Sequence, residues 1–573
     1  MTQYSHRRPT GGKQNFLMGH RSSIQKLFGR RMPSAADYDL VPYESHAFPN
    51  SDPAYLFALG HLFSLTPSPP EEARILELGC ASGGNIIPLA ERFPRMDIVG
   101  IDFSERHISD GQALINRLGL TNVSLRHADI SQVNKDGYGA FDYIICHGVF
   151  TNVGPEIQTR IMEICRDQLT DNGIAYIGYN TYPGWHLRNL IGDMMRYHTG
   201  AVGADAATQI EQARALLQFL AQNANQAHSG AYKTLLTSEL NLLQRAGDYY
   251  LRYEHLAEGN SALYFHQFME LAHAHQLQYL AEADIATMLA DNLPAQVAQT
   301  LAKVAPDIVR MEQYMDFLRN RSYRLTLVTH AKQKPIRALD GERLRGLRLG
   351  GLVKNQERTP DGGIRYTGIS GACANSTNPD LIRVMGKLIE AQPYEIEAAQ
   401  LIDSVPLDNA VLGAGTQRRE RATAQLLTCL FAGLIRLYGR PSQCATAAGA
   451  VPITTALARE QARAGHWVTT LRHESIKIDE FHRQILRRLD GSTDIDTLTD
   501  ELTELVNNDE LRIAAGGEST TDRAATHSAP AQSTAGQSTA GQSTLAQSLA
   551  GALDRLAKLG LIVAPAEQPA ANL

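Results

Sequence analysis

The stretch Ile75-Leu76-Glu77-Leu78-Gly79-Cys80-Ala81-Ser82-Gly83-Gly84-Asn85 decides the fold. Ile75, Leu76 and Leu78 make a short apolar run suited to a buried strand, and Gly79, Ala81, Gly83 and Gly84 turn the chain tightly toward a helix. Such a turn is expected to bring backbone very close to a ligand. Glu77 says more than the glycines do. A carboxylate at the end of a core strand is costly to bury unless something cationic or hydroxyl-bearing donates hydrogen bonds to it.

Outward from this stretch, short apolar runs alternate with helical ones. Strands are expected at 75–79, 97–102, 123–127, 141–147 and 173–179, with helices at 83–93, 105–118 and 156–169. That alternation predicts an α/β fold with a parallel, doubly wound, Rossmann-like sheet, whose ligand crevice opens at the carboxyl ends of the strands. Gly79, Ala81 and Gly84 fit a loose dinucleotide fingerprint, so the glycines alone leave NAD open as a ligand. The acids separate the candidates. Asp102 closes the second strand nineteen residues after Gly83, where a carboxylate meets ribose hydroxyls in either case. Glu77 ahead of the first glycine, and Asp129 after the third strand where an adenine amino group would lie, favour S-adenosylmethionine, whose amino group and ribose supply the donors. Phe103 and Ile130, beside the second and third acids, are further expected cofactor contacts.

Several segments resemble a known family: VPYESHAF (41–48), ILELGCASGGNIIPLA from Ile75, VGIDFS, HADI, FDYIICHGVF (141–150), YNTYPGWH (179–186), YFHQFMELAHAHQLQYLAEAD (264–284) and WVTTLRHES (467–475). The chain resembles class I S-adenosylmethionine-dependent methyltransferases, and more closely the bacterial group with a methyltransferase regulatory domain, which includes rickettsial protein-lysine methyltransferases. The resemblance implies that 38–48 straps over the cofactor, with Tyr43 and Ser45 near it, and that a regulatory-type segment occupies about 230–310. SDPAYL (51–56) departs from the Thr-His-Pro-type sequence common in relatives.

With 573 residues the chain exceeds one compact core, and 20% charged residues, 43% apolar residues and a net charge of -6 describe ordinary globular protein with no nucleic-acid signature. Six scattered cysteines without metal spacing read as reduced core thiols of a cytoplasmic protein. Residues 1–36 hold seven Lys or Arg and no acid, without the apolar run of a signal peptide, and are expected to be a disordered basic arm. No membrane span is expected.

A methyltransferase domain is expected over 37–333, with a helical insertion at 187–262 and two late strands, 278–283 and 324–330, the last antiparallel near the sheet edge. A C-terminal α+β region follows as two winged-helix-like units, 334–475 and 476–573, the second holding an unstructured Ser/Thr/Ala/Gly/Gln-rich loop at 516–548. Neither third helix is strongly basic, so protein contact is favoured over nucleic acid, with a homodimer left open.

Methyl transfer from a sulfonium is an in-line displacement that needs positioning and exclusion of water. His147, ending the fourth strand, is the expected catalytic or cofactor-contacting histidine, with Gly148 allowing close approach. Asn180 and Tyr182, after the fifth strand, could hold an amine, with Trp185 adding an aromatic face. Cys146 reads as a core thiol, and His266, His273 and His275 as helix histidines, so no metal is expected. The leading expectation is a methyltransferase acting on a nucleophile such as a protein lysine. The alternatives are an NAD-dependent oxidoreductase and a cofactor-binding interaction protein with little turnover.

Overall fold

The computed structural model describes residues 35–564, apart from 201–204, 225, 258, 261, 289–292, 340, 407–413 and 512–539. Seven strands form one sheet: β1 Arg74–Leu78, β2 Asp97–Asp102, β3 Val123–His127, β4 Phe141–Cys146, β5 Leu169–Asn180, β6 Leu277–Glu282 and β7 Tyr323–His330, in the order β3-β2-β1-β4-β5-β7-β6. The first five run parallel, and β7 is antiparallel to both neighbours. The antiparallel strand therefore lies one place inside the edge, and β6 takes the edge itself. Leu76, Leu78, Ile98, Ile101, Ile144, Ile145 and Ile177 are fully buried, the continuous apolar reading of strands covered on both faces.

Local chemistry sets the element ends. Ser104 accepts the His107 N–H to cap the helix Glu105–Leu118, and Gly119 closes it at φ +65°. The helix after the glycine turn is shorter than expected. It spans Ile87–Arg92 rather than 83–93, because Ala81 and Gly83 hold left-handed conformations (φ +46° and +80°) that no helix continues through.

Between β6 and β7 the sheet buries charge. Arg324 on β7 binds Glu282 at 2.6 Å, Glu312 at 3.0 Å and Asp316 at 2.9 Å, and Arg321 adds a 3.2 Å contact to Asp316.

Among the described residues, a second compact unit comprises 35–41, 151–154 and those of 187–260. Its helices Ala206–Asn223 and Gln226–Arg245 pack on a core of Ile191, Met195, Ala213, Leu217, Leu236, Leu243 and Leu251, with His255 paired to Glu239 at 2.7 Å. Residues 1–34, most of the expected basic arm, lie outside the described residues, and Ala35–Leu40 is helical.

In the C-terminal region, helices Pro379–Ala391, Ala398–Asp403 and Ala414–Phe431 are joined to a three-stranded antiparallel sheet of Glu395–Glu397, Arg348–Gly351 and Ile435–Tyr438. A further three-stranded sheet, Val353–Arg358 with Ile364–Gly368 and Cys373–Ser376, precedes those helices and was not anticipated. Next come helix Ala456–Ala464, the hairpin Trp467–Thr469 with Ser475–Lys477, and helices Glu480–Leu486, Ile495–Asn507 and Ala540–Lys558. Two expected bounds change. One core joins Ala445, Ala458 and Val468 to Leu486, Leu502 and Leu556, so the second unit starts well before 476, a boundary that would cut the hairpin. The expected loop 516–548 lies outside the described residues as far as 539, but 540–548 begins the last helix, whose Leu549, Leu553 and Leu556 fill that core. Of the cysteines all six are free thiols and five are buried, whereas Cys373 is exposed at the end of the unanticipated sheet.

Candidate active site

The turn after β1 is organised by its own strand neighbours. Gly79 and Cys80 donate backbone N–H groups to the Ile101 carbonyl at 2.8 and 3.0 Å. A Cβ on Gly79 would meet Val149 Cγ2 at 2.3 Å, and one on Gly84 would meet the Ser45 carbonyl oxygen at 2.3 Å. The close approaches that require glycine are thus made by protein, and Gly84 is where the strap lies down. There the Gly84 N–H donates to Ser45 Oγ at 2.7 Å.

The acids stand at the carboxyl ends of three adjacent parallel strands. Asp102 accepts the Ala81 N–H and the Ser104 N–H, both at 2.9 Å, which ties the turn to the end of β2. The Tyr43 N–H donates to His107 Nε2 at 3.3 Å, so that ring carries its proton on Nδ1, which lies 3.5 Å from the Asp102 carboxylate. Asp129 follows β3, is exposed, and accepts the Ser131 N–H at 2.7 Å. Phe103 is 36% exposed beside Asp102, and Ile130 is half-buried.

Glu77 is 3% exposed. One oxygen accepts from Asn85 Nδ2 at 2.8 Å, and the other, Oε2, is buried without a partner. Burial, opposed by the Asn85 hydrogen bond and assisted by the Asp102 charge, pushes its carboxyl up to about 8. A carboxylate left half-satisfied in a strand-end crevice fits an incoming ammonium, as the amino group of S-adenosylmethionine would provide. The protein residues present therefore fit that cofactor.

His147 closes β4. Its ring stacks on Phe48 with centroids 3.7 Å apart, Nδ1 lies 2.9 Å from the Tyr176 hydroxyl, and the Tyr323 ring stands 5.9 Å away edge-on. Burial alone pushes this imidazole down to about 4, which keeps it neutral. Asn180 is buried two residues beyond Gly178, whose Cβ position lies 2.5 Å from the Tyr323 hydroxyl, so it shares the face of β5 that carries Tyr176. Tyr182 is placed differently. Its ring stacks on His186 at 3.9 Å and leans on Tyr264 at 5.3 Å, in an aromatic group that extends to His266 and Phe317. Trp185 is 1% exposed and is a core residue rather than an open face for an amine.

The comparisons with known proteins address the fold that carries these residues. Residues 70–228 match the family described as "Methyltransferase domain", 247–330 match "Predicted methyltransferase regulatory domain", and 451–535 match "PKMT, C-terminal winged helix domain". An uncharacterized protein of Rickettsia prowazekii, RP789, is 32% identical over 504 residues, covering 85% of this chain and 89% of that protein. The chain belongs to the class I S-adenosylmethionine-dependent methyltransferases that carry a methyltransferase regulatory domain. The structure of PKMT2 from Rickettsia typhi superposes with a TM-score of 0.77 at 27% identity, over 91% of this chain and all of that one. The same protein solved in complex with AdoHcy, the demethylated form of the cofactor, gives 0.76 at 28% identity. This enzyme's cofactor is S-adenosylmethionine, and the NAD-dependent oxidoreductase alternative falls away. The regulatory domain begins later than the expected 230 and runs past 310, because it takes in β6, β7 and the buried charge cluster between them. The winged-helix match begins at 451, in accord with the earlier start of the second unit.

Five residues that surround these acids and His147 were not singled out from the sequence: Phe48, Asn85, Tyr176, Tyr323 and His473. Asn85 ends the glycine stretch and could have been flagged as a buried amide beside a buried acid. The others come from distant segments with no local signal. Among the described residues no three His, Cys, Asp or Glu gather as a metal would require, and no helix is long and apolar enough to cross a membrane.

Proposed function

We propose that this methyltransferase acts on protein lysine side chains. The observation that carries the reading is the aromatic cluster at the end of β4, where His147 meets Phe48, Tyr176 and Tyr323. The likeness to PKMT2 across nearly the whole chain supports it. Bound cofactor supplies an electrophilic methyl group on a sulfonium. Glu77 meets its amino group, Asp102 its ribose hydroxyls, and Asp129, Phe103 and Ile130 its adenine. Backbone at Gly79, Ala81 and Gly83 forms the floor, and Tyr43 and Ser45 hold the strap above.

The acceptor side follows from charge. A lysine amine attacks only when neutral, and aromatic walls disfavour its charged form by removing water. The neutral His147 imidazole orients the amine through a hydrogen bond and does not re-protonate it, while Asn180, on the face of β5 that carries Tyr176, lines the approach. The N–C bond forms as the C–S bond breaks, and the proton leaves to solvent. Transfer of a labelled methyl group into lysate proteins, followed by mass mapping, tests this. Label on lysine, lost after prior reductive dimethylation of the acceptors, is expected; label confined to nucleic acid, to small molecules or to other side chains would overturn it.

A further inference from the structure

The hairpin Trp467–Thr469 with Ser475–Lys477 belongs to the C-terminal winged-helix region, yet its tip is buried against the catalytic domain. Ser475 Oγ accepts the Ala47 N–H of the strap at 3.0 Å, and the Leu471 carbonyl accepts from Arg92 Nη1 at 3.1 Å. At the apex stands His473, 1% exposed and held at φ +62°, a left-handed conformation that histidine, like asparagine and aspartate, adopts more readily than most side chains. The turn is closed from both sides, with Thr470 N–H donating to the Glu474 carbonyl at 2.8 Å and His473 N–H to the Thr470 carbonyl at 3.0 Å. The turn thus holds one buried imidazole in a fixed place.

That side chain reaches Asn85. His473 Nε2 lies 2.8 Å from Asn85 Oδ1, the same oxygen that accepts the Phe48 N–H at 3.0 Å. A backbone N–H has only one role, so the Phe48 contact identifies that atom as the amide oxygen and turns Asn85 Nδ2 toward Glu77. His473 must then donate, which places its proton on Nε2. The chain of contacts runs from His473 through the Asn85 amide to Glu77 Oε1, and leaves Glu77 Oε2 as the free oxygen.

We propose that His473 is a positioning residue of the cofactor site: its Nε2–H locks the Asn85 amide, and the amide in turn presents the Glu77 carboxylate to the cofactor's amino group. The C-terminal region is thereby part of the cofactor site rather than an appended recognition module. The inference rests on the reading of Glu77 as a cofactor contact. Groups facing Glu77 are Asp102 from β2, Cys80 from the turn, Cys146 from β4 and Tyr176 from β5; those facing His473 are Asp52, Arg92 and Arg436. Burial, against the pull of Asp52, takes His473 down to about 3, so it stays neutral while Glu77 titrates.

The test is calorimetric binding of AdoHcy to the full chain, from about pH 6 to about pH 8.5, where affinity should rise with pH until Glu77 is ionised. His473→Asn accepts the left-handed backbone but is too short to reach, and His473→Phe fills the space without a donor. Each is expected to weaken AdoHcy about three- to tenfold near neutrality and to move the inflection to higher pH, because an unlocked amide stabilises the carboxylate less. His473→Gln, which restores an N–H donor, should return both toward the wild-type values. Affinity within about twofold of wild type in both non-donor variants, weaker binding at an unchanged inflection, or failure of both to fold by circular dichroism would each overturn the proposal. Glu77→Gln with His473 intact separates the two claims. If that variant binds AdoHcy as tightly as wild type, the reading of Glu77 fails.

Discussion

Acid is buried at two places along the same sheet, and it is partnered in opposite ways. Beside β7, Glu282, Glu312 and Asp316 surround Arg324 and Arg321, so the protein supplies nearly all the positive charge they need. The one acid in excess is reflected at Glu312, which burial pushes up to about 7 against the pull of Arg324. At the end of β1, Glu77 has an amide for a partner, and among the described residues no Lys or Arg pairs with it. A buried anion that brings its own cations is scaffold. One that lacks them is suited to a cation from outside, which under the proposed reading of Glu77 is the ammonium of the cofactor.

This contrast breaks first where its expected effect is largest. Arg324→Met would leave three acids buried around an apolar side chain, and should cost about 3–5 kcal/mol of stability in urea unfolding. A loss below about 1 kcal/mol would remove the distinction between the two groups. Glu77→Gln keeps the shape and removes the charge, so the folded chain should hold or gain stability while AdoHcy binds about 10- to 100-fold more weakly by calorimetry.

The same acid predicts a pH dependence of opposite sign for stability and for binding. Its folded carboxyl at about 8 stands above the ordinary 4.5, so the cofactor-free folded chain keeps a proton that the unfolded chain has lost. That contribution to stability is whole below the ordinary value, declines as pH rises and is gone above the folded value, while AdoHcy affinity climbs through the same window. Urea midpoints across this range should slope downward less in Glu77→Gln than in wild type, and parallel curves would count against the assignment.

Smaller effects sharpen the acceptor side. Tyr176→Phe removes the hydroxyl from His147 and should lower kcat about three- to tenfold with AdoHcy affinity within about twofold. A change confined to affinity would move His147 from the acceptor to the cofactor. Asp129 is exposed and caps the short turn Ile130–Gln132 by accepting the Ser131 N–H, so Asp129→Ala should weaken AdoHcy by no more than about threefold, with about 0.5–1 kcal/mol lost from that cap.

Much of the catalytic domain was legible in the chain. Glu77 and Asp102 stand at the ends of apolar runs of strand length and Asp129 two residues past the alternating run Val123–His127, and a parallel sheet must place such residues along one edge. Side-chain direction was less legible. Tyr182 and Trp185 follow β5 within a few residues of Asn180, but one ring joins a separate aromatic group and the other enters the core, because the chain leaves the sheet there and alternation no longer assigns faces.

By itself the sequence determined the strand alternation, the tight turn after Leu78 and the acids at the strand ends, because these depend on neighbours within a few residues. Only the tertiary structure decided which groups complete the site. Phe48 lies 37 residues from Asn85, and His473 lies 388 residues from it, and hydrogen bonds over such separations leave no pattern in a linear chain. Their partners are chosen by packing, which brings the strap and the C-terminal hairpin onto one buried amide.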